Sequence, residues 1–171
     1  MAALKGTEKQ GLTQLKFIYT MAATPEQLHA LLLHCIDFSR TMLEKSGEFY
    51  PFGGTLSTDG KVCAVGGDNG EEHPKPQEIF LLLAEAFSSS AQKGEILGAA
   101  LVADVNIPSH YAPNYPDGVR VQLESEGFSR FIYIPYKIKK SGILRMSRQV
   151  EMAEPFSVEI EPSFFKVVKS V

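Results

Sequence analysis

The clearest periodic signal lies at 25–46, where Leu28, Leu31, Leu32, Cys35, Ile36, Met42 and Leu43 recur at helical spacing. Ahead of it, Thr24-Pro25-Glu26-Gln27 places a hydroxyl at the N-cap, proline at the first helical position and glutamine at the third. That arrangement satisfies backbone donors that would otherwise lack partners. Ser46-Gly47 supplies a glycine suited to a left-handed C-terminal residue, so a first helix is predicted over 25–46. A second helix begins at Pro76 or Gln77, carries its apolar stripe on Ile79, Leu82, Leu83, Ala86 and Phe87, and closes at Lys93-Gly94.

Between the helices, 48–67 reads as a β-hairpin turning at Asp59-Gly60. A two-residue loop there sets Leu56 opposite Cys63, Gly54 opposite Val65, Ser57 opposite Val62 and Thr55 opposite Ala64. Leu56, Cys63 and Val65 then share one face, with Val62 and Ala64 on the other. Gly53-Gly54 and Gly66-Gly67 lie at facing positions, where they leave room for close approach. Residues 95–107 are apolar on both alternating faces, which predicts a central or doubly covered strand. Val119, Val121 and Leu123 alternate with Arg120, Gln122 and Glu124, giving one dry and one wet face. After a turn at Glu126-Gly127, the returning strand 128–137 pairs Leu123 with Arg130, Val121 with Ile132 and Val119 with Ile134. That register sets Phe131 by Gln122 and Tyr133 by Arg120 on the outward face.

The predicted fold is α+β, in the order α-β-β-α-β-β-β: a five-stranded or larger antiparallel sheet with two main helices and an extended C-terminal arm. One domain spans 1–171, with a frayed segment at 1–11, a body over 12–136, and a basic loop and arm over 137–171. Residues 12–21 fit a short helix or a strand. The run 137–148 holds five basic residues and no acid, and reads as a solvated, mobile loop. The arm at 149–165 is predicted as an extended or edge strand with a turn or short helix near Phe164-Phe165.

Composition narrows the function classes. A length of 171 residues with 44% hydrophobic and 22% charged residues is enough for a core without a metal or disulfide. A formal net charge of −3 argues against nucleic acid or a membrane surface as partner. No apolar run long enough to span a bilayer occurs and the first ten residues are polar, so a cytoplasmic protein is expected. Cys35 and Cys63 have no paired-ligand spacing and read as two buried free thiols.

No catalytic signature emerges, and neither a cofactor nor a metal is expected. His29 and His34 sit about 140° apart around a helix, which rules out a shared site. His34-Cys35 are adjacent on a helix and cannot pair as base and nucleophile. Gly66-Gly-Asp-Asn-Gly70 lacks the lysine and spacing of a phosphate loop. Two candidate surfaces remain. Tyr50, Asp68, Glu72 and His73 are the polar groups where the hairpin meets the 68–76 loop, a candidate small-ligand or hydrolase site. Arg120, Phe131 and Tyr133 are a candidate interaction surface whose aromatics need cover, from the arm or from a second subunit.

The succession of strand, Asp-Gly turn, strand and helix is similar to that of profilin-like and roadblock folds, in which a hairpin and a three-stranded meander share one sheet. Gly47-Glu-Phe-Tyr-Pro-Phe-Gly53, Asp59-Gly60 and Glu72-His73-Pro74 resemble a set of uncharacterised bacterial single-domain proteins. That resemblance covers the middle third of the chain and brings no active-site residues. The expected function is a non-catalytic interaction or regulatory module acting by protein–protein contact or self-association, with a protein partner or a homodimer. A small-ligand-binding protein or hydrolase with its site at 68–76 is the alternative.

Overall fold

The computed structural model describes residues 22–166; the readings made for 1–11 and 12–21 lie outside the described residues. Helix α1 is Pro25–Ser46. Thr24 Oγ1 accepts from the Gln27 amide at 3.2 Å and the Gln27 side chain accepts from the Thr24 amide at 2.9 Å, which completes the capping box. Gly47 ends the helix at φ 81°. The remaining elements are β1 (Phe52–Ser57), β2 (Val62–Gly66), α2 (Pro76–Gln92), β3 (Ile96–Asn106), β4 (Asp117–Ser125), β5 (Phe128–Ser141), β6 (Ser147–Met152) and β7 (Phe156–Glu159).

The seven strands among the described residues join one antiparallel sheet in the order β2-β1-β3-β4-β5-β6, with β7 also on β5. β5 is long enough for two partners on one side: β7 pairs with its residues 130–133 and β6 with 136–141. The basic run is therefore paired strand at both ends and not a loop. Hydrogen bonding between β5 and β6 continues through it to the Ser141–Ser147 pair.

The sheet curls around α1, which packs against β1, β3, β4 and β6. Leu28, Leu31, Cys35 and Leu43 meet Leu56, Ala100, Val102, Val121, Ile134 and Val150 in the larger core. The opposite face is covered in two pieces. α2 lays Ile79, Leu83 and Phe87 over Ala99 and Leu101, and Phe164 from the C-terminal arm completes that layer with its ring edge on Phe87 at 5.7 Å. β3 is thus covered on both faces, as its doubly apolar pattern predicts. Leu82 and Ala86 turn outward, so the buried stripe of α2 is the single i, i+4, i+8 line of Ile79, Leu83 and Phe87.

The second hairpin has the predicted register, with Leu123 opposite Arg130, Val121 opposite Ile132 and Val119 opposite Ile134. The first hairpin differs by one residue. Its loop has three residues, closed by the Ser57 amide on the Lys61 carbonyl at 2.9 Å and the Gly60 amide on the Ser57 carbonyl at 2.9 Å, with Gly60 at φ 85°. Leu56 therefore faces Val62, and Gly54 faces Ala64. Side chains alternate along a strand, so the extra loop residue moves Cys63 and Val65 to the α2 face and Val62 and Ala64 to the α1 face. Gly66 faces Phe52 and not a glycine. Cys63 is exposed, against the expectation of two buried thiols, while burial pushes the Cys35 thiol up to about 12.

A side chain at Gly53 would lie 2.5 Å from both the Ala100 carbonyl oxygen and the Phe87 ring, whereas nothing lies within 4 Å of one at Gly66. Gly53→Ala is expected to destabilise the fold by about 1–3 kcal/mol, because the close approach of α2 to the sheet has no slack. Gly66→Ala is expected to melt at nearly the wild-type temperature. Thermal unfolding of the two variants checks the difference.

Candidate functional site

Of the residues singled out as a ligand site, Tyr50 stands apart from the other three. Its half-exposed ring lines a groove of about 300 Å³ with Met42, Ser46, Glu48, Phe49 and Pro76, between the end of α1 and the start of α2. Asp68 accepts the Gly70 amide at 2.7 Å and Asn69 accepts the Glu71 amide at 3.1 Å, so these side chains shape the turn. Asn69 also donates to Glu78 at 3.2 Å, tying the loop to α2. Glu72 and His73 are exposed on the outside of that loop, and neither lines the Tyr50 groove. Among the described residues no group of three potential metal ligands occurs.

Arg120, Phe131 and Tyr133 do come together, largely as interior. The Arg120 guanidinium lies 4.6 Å from the Phe131 ring centre and 5.5 Å from that of Phe80 on α2, a sandwich that holds the cation between two aromatic faces. Tyr133 is buried, stacked on Phe156 of β7 at 5.2 Å, and Tyr111 packs against both rings at 5.7 and 5.6 Å. Burial raises the Tyr133 hydroxyl above the usual phenol range. Tyr133 is covered by Phe156 of the arm and by Tyr111, and half-buried Phe131 is approached through Arg120 by Phe80 of α2.

The same arm overturns the wet face predicted for β4. Gln122 and Glu124 are buried, Glu124 with no exposed surface. The Glu124 carboxylate accepts from the amides of Ser163 (3.0 and 3.1 Å), Phe164 (2.8 Å) and Phe165 (3.4 Å). It also accepts from the Ser163 hydroxyl at 2.9 Å and from Gln122 Nε2 at 2.7 Å. Successive backbone amides turned toward one point form an anion-binding concavity, and here the anion is part of the chain. Nothing in the local sequence marks this contact, because the partner of Glu124 lies about forty positions away.

The strand edges offer the most accessible unused bonding capacity. On the β6 and β7 side, Arg148, Glu151, Glu154 and Glu159 place charge along or beside the edge, the usual protection against further pairing. β2, at the other end, pairs among the described residues only with β1 and reads Val62-Cys-Ala-Val-Gly66, without charge or proline. Because the Ser57 amide bonds the Lys61 carbonyl, the alternation of an antiparallel ladder turns the backbone groups of Cys63 and Val65 toward β1. Those of Val62, Ala64 and Gly66 are left facing outward. Beside this edge a cavity of about 100 Å³ is lined by His34, Phe38, Phe52, Gly53, Ala64, Val65 and Gly66. Exposed Phe38 forms its rim and meets Phe52 edge-on at 4.6 Å. Shortness and lack of charge in the segment 62–66 are the sequence signals that could have identified it.

Glu151 braces the base of the β5–β6 hairpin. Lys139, Tyr115 and Lys137 surround it, and their hydrogen bonds and charge hold its carboxyl at about 2, below the usual value of 4.5. A depressed folded-state value means that this stabilisation is fully present above pH 4.5 and is lost as pH falls toward 2. The difference in melting temperature between wild type and Glu151→Gln is expected to shrink over that window. Glu124→Gln is expected to cost about 2–3 kcal/mol, since its amide NH₂ would confront backbone donors in a dry site. Hydrogen exchange should then accelerate at the Ser163, Phe164 and Phe165 amides.

Comparison of the chain with protein-family models, with curated proteins and with solved structures found no match.

Proposed function

We propose that the protein is a non-catalytic interaction module that receives an extended segment of a partner, or of a second copy, along β2. The observation that carries this reading is the uncharged outer strand Val62–Gly66, with the backbone groups of Val62, Ala64 and Gly66 turned outward. Strand addition draws affinity from such main-chain groups and specificity from adjacent pockets for alternate side chains. The cavity between Phe38 and Gly66 sits where a side chain of the added strand would project. No observation of comparable weight favours a ligand site built from Asp68, Glu72 and His73.

Ala64→Pro tests the proposal. Proline at this position removes one outward donor and leaves the ladder to β1 intact, so the variant should retain a cooperative melt. Light scattering at high protein concentration is expected to report self-association, or affinity capture a co-purifying protein, for wild type and not for the variant. A monomeric wild type with no captured partner, or association unchanged by Ala64→Pro, would overturn the reading.

A further inference from the structure

The hairpin of β5 and β6 ends in a short 3₁₀ turn at Ile143–Arg145, at the opposite edge of the sheet from β2. Ile143, Leu144 and Met146 are 89%, 86% and 77% exposed, three large apolar side chains together in water. The backbone holds them there against its own preference, since Leu144 and Arg145 lie at φ 58° and 54°, the region that favours glycine. Around this apolar tip the charge is of one sign. Lys140 lies directly opposite Arg148 across the strands, and because Arg148 turns to the Lys45 carbonyl at the end of α1, Lys140 is left exposed beside the tip. Arg145 projects from the tip itself. The two remaining cations of the run, Lys137 and Lys139, sit lower and are engaged by Glu151.

We infer that this tip inserts into the interface of an anionic lipid bilayer, with Ile143, Leu144 and Met146 entering the acyl boundary and Lys140 and Arg145 meeting the headgroups. A convex, aliphatic point ringed by cations fits a planar surface that is anionic outside and apolar just beneath. Nucleic acid fits less well. The aromatics that would stack on bases, Tyr133 and Tyr136, are buried, and the exposed residues are aliphatic. The overall charge of −3 does not oppose binding, because screening over roughly 8–10 Å leaves the local field of the tip to decide. Docking at β2 and insertion here use opposite edges, so neither blocks the other.

The chain contains no tryptophan, which makes Ile143→Trp a clean reporter. Its emission is expected to shift to the blue on adding vesicles of phosphatidylcholine with phosphatidylserine, and not with phosphatidylcholine alone. Co-sedimentation of wild type with the mixed vesicles should weaken at high salt and be lost in the Ile143→Asp/Leu144→Asp double variant. That variant should melt like wild type, since the side chains it replaces are exposed. Absence of a blue shift and of sedimentation on the mixed vesicles would overturn the inference. So would vesicle binding that persists in the double variant, or a dimer in lipid-free solution that the double variant abolishes. Binding of a single-stranded oligonucleotide that survives the double variant and fails with Lys140→Glu/Arg145→Glu, in place of vesicle binding, would assign the tip to nucleic acid instead.

Discussion

A carboxylate with no exposed surface persists only where partners replace water, and among the described residues Glu124 forms no ion pair and takes most of its hydrogen-bond donors from one short segment. Three consecutive amides and a hydroxyl from Ser163–Phe165 converge on it, so the arm has one place to end. That placement seats Phe164 against Phe87, completing the layer that α2 begins. It also brings β7 onto β5, where Phe156 covers Tyr133. Among the described residues two helices cover the sheet, α2 spans only part of its outer face, and this polar anchor seats the arm over the part beside it.

The other face has no such device. There the curl of the sheet around α1 does the work, and α1 reaches as far as β6, where Arg40 donates to the Val150 carbonyl at 3.2 Å and Arg148 to the Lys45 carbonyl at 3.0 Å. The second of these sets a cation at the negative end of the helix dipole. Through it the β5–β6 hairpin is fixed to the body close to its tip. The two ends of the sheet thereby acquire different character: an uncharged, short strand at β2 and a braced, basic hairpin at β6. Both proposed contacts follow from that asymmetry, since one edge presents backbone groups and the other presents side chains.

Within the candidate site, legibility followed the range of the interaction. Arg120 beside Tyr133 and Phe131 beside Gln122 were readable, because a two-residue turn fixes register over the following few pairs. Their burial was not, because it depends on Phe156 arriving from more than twenty positions downstream. Tyr50 and His73 are separated by the whole first hairpin, and the fold does not bring them together: the former borders a groove at the end of α1 while the latter is exposed on a turn tied to α2.

The sequence by itself determined the α1 capping box, the bounds of both helices, the doubly apolar β3 and the register of the second hairpin, all of which rest on contacts within a few residues or on simple alternation. Only the tertiary structure decided the face of Cys63, which turned on one extra loop residue at Thr58-Asp59-Gly60. It alone revealed that Gln122 and Glu124 belong to the interior, since a polar side chain reads as solvated until a distant donor is brought to it. It alone also turned Lys137 to Arg148 from a loop into a paired hairpin with an apolar point, because charge density lowers strand propensity locally while a neighbouring strand and Glu151 restore it.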